Sequence, residues 1–384
     1  MITMAYLIMC YDEPLLLFEL GERSRITMQV QVSGYRRLSE RSIAQGIEHK
    51  LETWLSSRRA PRSRAYMDKL LLAAGITSFD SLIQVTKLLS LNDAFWVKSS
   101  GDKVSCWKSV NLYDNPFNEV VMHLAFEGKG LGGLPVRSTS PEFTTDGMLP
   151  KCWRRESGRI VLCKGGTSGW ASNAGWEPYS EYYASQLAEF LGLDVVNYQL
   201  GKLNGNLVSK CPLFTSQELG YSAIYKLIPE GSTPLDAIFA LYRENDWFEY
   251  LRDMYLLDAL TLNPDRHLGN FGVLVNNRTG AFVKPAPIFD NGASLLAYYR
   301  QDGTPITDDL FVNLQSLETY ASNFYEPYAV TLKGRDLLGT RQKQLLRRVL
   351  SFTFTEHPRF KLPDNRVGFL THMVRSLAKF YLTL

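Results

Sequence analysis

The chain has no pair of cysteines at C-x-x-C spacing, and its five cysteines, Cys10, Cys106, Cys152, Cys163 and Cys211, are scattered and odd in number. Neither a disulfide framework nor a zinc site follows from them, and a reducing cytosol is the compartment that fits. A long uninterrupted apolar run is missing too. The opening MITMAYLIMCYDEPLLLFEL has no basic start, and Asp12 and Glu13 break it, so neither a signal peptide nor a membrane span is expected. There is no tandem repeat and no low-complexity segment. An excess of one charge is also lacking: the net charge is +3, too mild to imply nucleic acid, and direct binding to it is not expected. What is present is globular. The 45% hydrophobic and 12% aromatic residues exclude a disordered polar chain, and 384 residues suggest about two domains.

Residues 1–35 carry strand signals, clearest where Ile26, Met28, Val30 and Val32 alternate with polar residues. From Ser42 the period changes. Ile43, Ile47, Leu51, Trp54 and Leu55 fall at helical spacing, and two more helices are expected over about 65–75 and 80–90. Together they read as a small accessory module. Between the first two helices SSRRAPRSR gathers Arg58, Arg59, Arg62 and Arg64. Such a cluster can grip phosphates; next to Pro61, which breaks the helix, it reads better as a solvated helix end whose cations complement the dipole. Residues 91–150 are rich in Gly, Pro, Asn and Ser. Gly128, Gly130, Gly132 and Gly133 miss the spacing of a phosphate loop, so they read as a flexible connection.

A better nucleotide-loop candidate is TTDGMLPKCWRRESGRIVLCKGG, where a turn at Asp146-Gly147 precedes Lys151 and a second turn falls at Ser157-Gly158. Residues 148–164 then form a hairpin with Arg159–Lys164 as its return strand. Ile160, Leu162 and Lys164 share one face, and the ammonium that ends this apolar strand must reach either water or an anion. Pro178 and Ser180 announce a helix, with Ser180 as N-cap and Gly192 as its end. Glu181 lies on its apolar stripe with Ala184, Leu187, Ala188 and Leu191. Taken alone, Glu181 is equally a first-turn acid that complements the dipole. Beside Lys164 it reproduces the strand-lysine and helix-glutamate pair that kinases aim at nucleotide phosphates. VVNYQLG and NLVSKCPLF read as two further strands. By order alone, Lys210–Phe214 becomes a linker whose backbone, with Lys210 and Leu213, meets an adenine edge.

The chemistry concentrates in TLNPDRHLGNFGVLVNNRTGAFVKPAPIFDNGA. A helix carrying Phe248, Leu251, Tyr255, Ala259 and Leu262 on one face leads into it, and Pro264 is expected to end that helix and leave Asp265 in a loop. Phosphoryl transfer requires an orienting acid, a divalent metal against the phosphates and cations for developing charge. Asp265 can be the first. Asn270 is a neutral oxygen ligand suited to magnesium, and Asp290 a charged one. NNRTG between apolar strands signals a hairpin that folds Asn270 and Asp290 together. His267 reads as a structural histidine bonded to nearby backbone, since no second histidine or cysteine stands at metal-ligand spacing. After residue 300 the chain reads as helical, with the basic residues of LLGTRQKQLLRRVLSFTF on a solvated face.

The segment LNPDRHLGN…IFDNG, the helix SEYYASQLAEFLGLDV and the strand ending in Lys164 resemble the HipA-like serine/threonine kinases, the toxin kinases of bacterial toxin–antitoxin modules and related effector kinases. The match covers about 144–292; the first hundred residues differ from the family's usual N-terminal part. The resemblance implies an α+β, two-lobed kinase-like fold with a small β-rich N-lobe, a helical C-lobe and an additional N-terminal module. The expected bounds are 1–105, 106–214 and 215–384. It further implies that Asp265 is the catalytic acid, that Asn270 and Asp290 hold Mg2+, and that Lys164, paired with Glu181, contacts the phosphates of ATP. The turn around Gly147 becomes the nucleotide loop, with Thr144 and Thr145 where the family carries an autophosphorylated hydroxyl. The expected reaction is transfer of the ATP γ-phosphate to a protein serine or threonine, in a bacterial cytosol or in a host cytosol after delivery. An antitoxin partner is left open by the resemblance. The alternatives are a catalytically weak kinase fold that acts with an antitoxin as a corepressor on DNA, and a lipid or small-molecule kinase.

Overall fold

The computed structural model describes residues 4–21, 26–31, 51–129, 138–169, 174–298, 336–362 and 365–384. The chain divides into two compact units. One holds Met1–Lys164, Leu213–Ser222 and Leu274–Val283; the other holds Gly165–Pro212, Ala223–Val273 and Lys284–Leu384.

In the first unit the N-terminal strand signals become β1 (Met4–Cys10), β2 (Glu13–Leu20) and β3 (Ile26–Gln31), which join β4 (Phe95–Ser99) in a sheet of order β3-β2-β1-β4. β1 is antiparallel to both neighbours, with Tyr6 opposite Phe18 on one side and Ser99 on the other. Helices α1 (Leu51–Ser57), α2 (Met67–Ala73) and α3 (Phe79–Thr86) follow the expected periodicity. Val32 and residues 42–50 lie outside the described residues. Ile8, Phe18 and Trp96 of the sheet share a core with Leu51 and Leu55 of α1 and Leu82 and Ile83 of α3. Ser78 caps α3: its Oγ accepts the Ser81 N–H at 3.1 Å, and Ser81 Oγ accepts the Ser78 N–H at 2.9 Å.

The arginine cluster divides, which corrects its reading as a solvated helix end. Arg59 and Arg62 are exposed, but Arg58 and Arg64 are buried. Arg58 donates to the carbonyls of Leu88 and Phe95 and, through both terminal nitrogens, to Asp93. Arg64 donates to the carbonyls of Glu142 at 2.7 Å, Thr145 at 3.3 Å and Lys151 at 2.7 Å. Burial pushes the Arg64 guanidinium down to about 10, opposed by the Glu142 carboxylate, so it stays charged at neutral pH. Arg64→Ala strands these carbonyls, and a loss of about 3 kcal/mol is expected. The urea midpoint of the whole chain measures it, and an unchanged midpoint would contradict this role.

After the short helix α4 (Trp107–Val110), α5 (Glu119–Glu127) ends on Gly128, which takes the left-handed φ of 66° as its C-cap. Gly128 therefore terminates a helix instead of lying in an open connection; Gly130, Gly132 and Gly133 fall outside the described residues. The expected hairpin forms from β5 (Lys151–Glu156) and β6 (Arg159–Gly165), with Lys151 opposite Lys164. Ser157 and Gly158 turn it at φ 49° and 77°. β9 (Leu219–Ala223), β10 (Gly272–Asn276) and β11 (Phe282–Pro285) form a sheet of order β11-β10-β9, and the NNRTG segment turns between the last two.

The second unit is mainly helical. It contains α6 (Glu177–Leu191), the hairpin of β7 (Gln199–Leu203) and β8 (Asn206–Pro212), then α7 (Pro234–Glu244), α8 (Phe248–Thr261), α9 (Thr340–Val349) and α10 (Arg366–Tyr381). One core cluster joins Leu187, Leu251, Tyr255, Leu346 and Leu377 from these helices. α6 starts at Glu177 behind Trp176, so Ser180 is inside the helix and buried, not its N-cap. Pro178 stands in the first turn, where its missing N–H has no intrahelical partner to lose. Gly192 closes α6 at φ 75° as expected. α8 stops at Thr261, before Pro264 is reached, because Leu262 turns left-handed at φ 49°. On α9 the basic residues are not all free: Arg341 pairs with Asp253 at 2.8 Å, and Arg348 donates to the Phe190 and Leu191 carbonyls at the end of α6.

Candidate active site

Asp258 and Arg266 build the site from below. α8 is buried nearly all round, and Asp258 within it is 1% exposed. An acid there needs a cation. Arg266 supplies it: Nε donates to Asp258 Oδ2 and Nη2 to Oδ1, both at 2.9 Å. Nη2 also donates to Asn291 Oδ1 at 2.7 Å, while Nη1 donates to the carbonyls of Asn270 at 2.8 Å and Phe289 at 2.5 Å. A guanidinium has five N–H donors, and each has a partner here. One nitrogen of Arg266 thus draws together the backbone at Asn270 and the residue before Asp290. Neither Arg266 nor Asp258 is among the residues expected from the sequence. The signal was an aspartate inside the apolar helical run MYLLDALTL, the same anomaly that marked Glu181.

The loop after α8 is held by its own side chains. Asn263 donates from Nδ2 to Asp258 Oδ1 at 3.0 Å, and its Oδ1 accepts the Asp265 N–H at 3.1 Å. The Asp265 carbonyl accepts both the His267 N–H at 2.8 Å and Asn270 Nδ2 at 3.0 Å. The Asp265 carboxylate itself is exposed. Since the Asn270 amide nitrogen is engaged, Oδ1 is the atom that side chain offers to a cation. His267 Nδ1 accepts the Gly269 N–H at 3.0 Å, the structural role expected of it.

Asp290 sits in the left-handed region at φ 59°, a conformation aspartate tolerates better than most residues. Its N–H donates to the Tyr198 hydroxyl at 3.2 Å, and the next N–H, of Asn291, donates to Glu181 Oε2 at 2.8 Å. Burial, then the nearby Glu181 carboxylate, raise the Tyr198 phenol well above its ordinary value, so it is a neutral hydroxyl at the turn. Glu181 is buried on the apolar stripe of α6, as expected. One helical turn earlier Glu177, also buried, accepts the Thr167 N–H through Oε2 at 3.1 Å. A Cβ on Gly166 would meet that oxygen and Gly175 Cα, each at 2.6 Å. Gly166→Ala is therefore expected to lower stability by about 2 kcal/mol, read from urea unfolding; an unchanged midpoint would show that the Gly166 backbone has room to move.

Within the second unit the fold thus gathers Asp265, Asn270, Asp290 and Glu181; Lys210 of that unit lies on β8 opposite Gln199. The other predicted residues belong to the first unit. Gly147 turns at φ 93° after Asp146, and Lys151 Nζ reaches back to the Asp146 carbonyl at 2.7 Å. Thr144 Oγ1 donates to the Leu89 carbonyl and Thr145 Oγ1 to that of Pro141, each at 2.7 Å. Lys164 is buried on β6. Leu213 donates its N–H to the Ile160 carbonyl at 2.9 Å.

No protein-family model matches the chain. Over 160 residues it is 28% identical to the serine/threonine-protein kinase CtkA of Helicobacter pylori, a stretch that is 38% of this chain and 48% of that protein. The chain spans about half the length of this curated relative. The crystal structure of CtkA aligns with 61% of this chain and 93% of its own at 18% identity, with a TM-score of 0.41. A HipA from Shewanella oneidensis MR-1, solved in a toxin–antitoxin complex with HipB and operator DNA, aligns over 99% of this chain and 98% of its own, with a TM-score of 0.57 at 13% identity. The chain has the α+β kinase-like fold of HipA, and in sequence it is similar to a serine/threonine-protein kinase.

Proposed function

We propose that this chain is a Mg2+- and ATP-dependent serine/threonine protein kinase. The observation that carries the proposal is Arg266, whose Nη1 ties the Asn270 carbonyl to that of Phe289 and so sets two magnesium ligands against one another. The donor set fits a magnesium ion on nucleotide: one carboxylate from Asp290, one neutral oxygen from Asn270, and the phosphates for the rest.

When bound, magnesium neutralises charge on the β- and γ-phosphate oxygens. Asp265, exposed in its loop, takes the proton of the acceptor hydroxyl. Lys164 holds the nucleotide phosphates, the turn at Gly147 with Lys151 covers them, and Glu181 fixes the turn after Asp290 through the Asn291 N–H. Adenine meets the backbone of 210–213, at Leu213 through the carbonyl, since the amide is engaged. The proposed division is an accessory module over 1–105, a nucleotide lobe over 106–214 and a catalytic lobe over 215–384. Phosphorylation of Thr144 or Thr145 would break their bonds to carbonyls, a means of unlocking the nucleotide turn. A partner of the antitoxin type is part of the proposal, supported by the HipA neighbour solved with HipB and operator DNA. The scattered cysteines support a cytosolic site of action, and among the described residues no helix is long and apolar enough to cross a membrane.

The test is incubation of the full chain with γ-labelled ATP and a cell lysate, with magnesium or with a chelator. Label on protein serine or threonine that requires the metal is the expected result. Label only in the lipid extract would replace the reading with a lipid kinase, and no metal-dependent label in any fraction would overturn it.

A further inference from the structure

The exposed half of the arginine cluster has no part in the proposed phosphotransfer. Within the first unit, Arg59 and Arg62 border a cavity of about 230 Å³ whose lining includes Met67, Ile76, Leu82 and Phe143. Leu82 belongs to the core under the sheet, and Met67 and Phe143 to a separate cluster with α5, so the cavity lies between two packed bodies of this unit. Phe143, Met67 and Leu82 are buried at its floor. At the mouth both guanidiniums are exposed, and neither is paired with a carboxylate among the described residues. The acid next to Phe79, Asp80, is turned to Tyr6 and Gln84 instead. The other two arginines of the cluster are consumed by structure, as described above.

We propose that this cavity is a docking site for a partner protein's short acidic segment carrying one bulky apolar side chain. The volume is below the roughly 300–1,000 Å³ that encloses a whole small ligand, but it accepts a single leucine, methionine or phenylalanine side chain as an anchor. Two unpaired cations at the rim complement carboxylates on either side of that anchor and select against basic segments. A nucleic-acid backbone is the poorer match: it calls for a track of cations, whereas only Arg59 and Arg62 of this cluster face solvent, and they flank an apolar floor. The inference is independent of whether the chain transfers phosphate.

The experiment pans the full chain against a displayed library of random seven-residue peptides and measures the enriched peptides by fluorescence anisotropy. The same measurement is made on the Arg59→Glu/Arg62→Glu protein, whose substituted side chains are exposed and whose thermal midpoint is checked against the parent. Enrichment of sequences with one Leu, Met or Phe flanked by Asp or Glu is expected. Their affinity should fall at least about tenfold in the charge-reversed protein and weaken with salt, as screened charges do. Failure to enrich such sequences, or equal binding by the charge-reversed protein, would overturn the proposal. Displacement of the peptide by a short single-stranded oligonucleotide, with the same dependence on both arginines, would overturn it in favour of nucleic acid.

Discussion

Asp265→Asn is expected to lower phosphate transfer by roughly 10³-fold, the scale of a lost general base, and to leave the fold as it is. The side chain is exposed, so the substitution opens no cavity. What holds the loop at this position is the Asp265 main chain: its N–H donates to Asn263 Oδ1, and its carbonyl accepts from His267 and from Asn270 Nδ2. An asparagine keeps all three main-chain bonds and nearly the same shape, and loses the carboxylate that takes the proton. Binding of magnesium and nucleotide, followed by calorimetry, should therefore change by less than about threefold while the initial rate of label transfer collapses, the pattern of an interaction made in the transition state. A variant that transfers phosphate within about tenfold of the parent would remove Asp265 from the role of base. A variant that also fails to bind nucleotide would place it among the ligands instead.

The parts of the proposed site that stand out in the sequence are those whose evidence is local. Asp265, Asn270 and Asp290 stand at recognisable spacings, and NNRTG between apolar runs announces the turn between β10 and β11. Glu181 was visible as an acid on an apolar stripe, and it is buried there. Less visible were features whose partners lie far along the chain or are main-chain atoms. The Tyr198 hydroxyl that accepts the Asp290 N–H is remote in sequence, and a tyrosine in the segment between α6 and β7 carries no mark of it. Arg64 serves carbonyls, which every residue possesses, and Arg58 serves carbonyls and the distant Asp93, so the residue code could not tell them from Arg59 and Arg62. Helix ends were misplaced where two good signals competed. Pro178 and Ser180 both suit a helix start, but the chain already turns helical at Glu177, whose carboxylate takes the Thr167 N–H. Pro264 can stop a helix, yet Leu262 has already left it, with the Asn263 N–H donating back to the Asp258 carbonyl at 3.0 Å. At α6 a bond from outside the helix decided between local preferences of similar strength, and at α8 the bonds of the helix terminus itself did.

Arg266→Met removes the guanidinium that ties Asp258 to the Asn270 and Phe289 carbonyls, and a loss of about 4 kcal/mol is expected. Methionine fills much of the same length without charge. It leaves the Asp258 carboxylate buried against Asn263 alone, and it removes donors from the Asn270 and Phe289 carbonyls and from Asn291 Oδ1. The cost of a lone buried charge can be separated from the loss of site geometry by adding Asp258→Leu. Replacing both members of a buried ion pair with apolar residues often recovers much of the stability that removing one destroys, so the double variant should unfold at a higher urea concentration than Arg266→Met alone. Phosphate transfer should not return with it. The Asn270 and Phe289 carbonyls remain untied in both variants, so Asn270 and Asp290 are no longer held in register, and the magnesium requirement should rise along with the fall in rate. If the double variant regained both stability and transfer at the parent's magnesium concentration, Arg266 would be only the counterion of Asp258, and the register of the two proposed metal ligands would have to come from the β10–β11 turn.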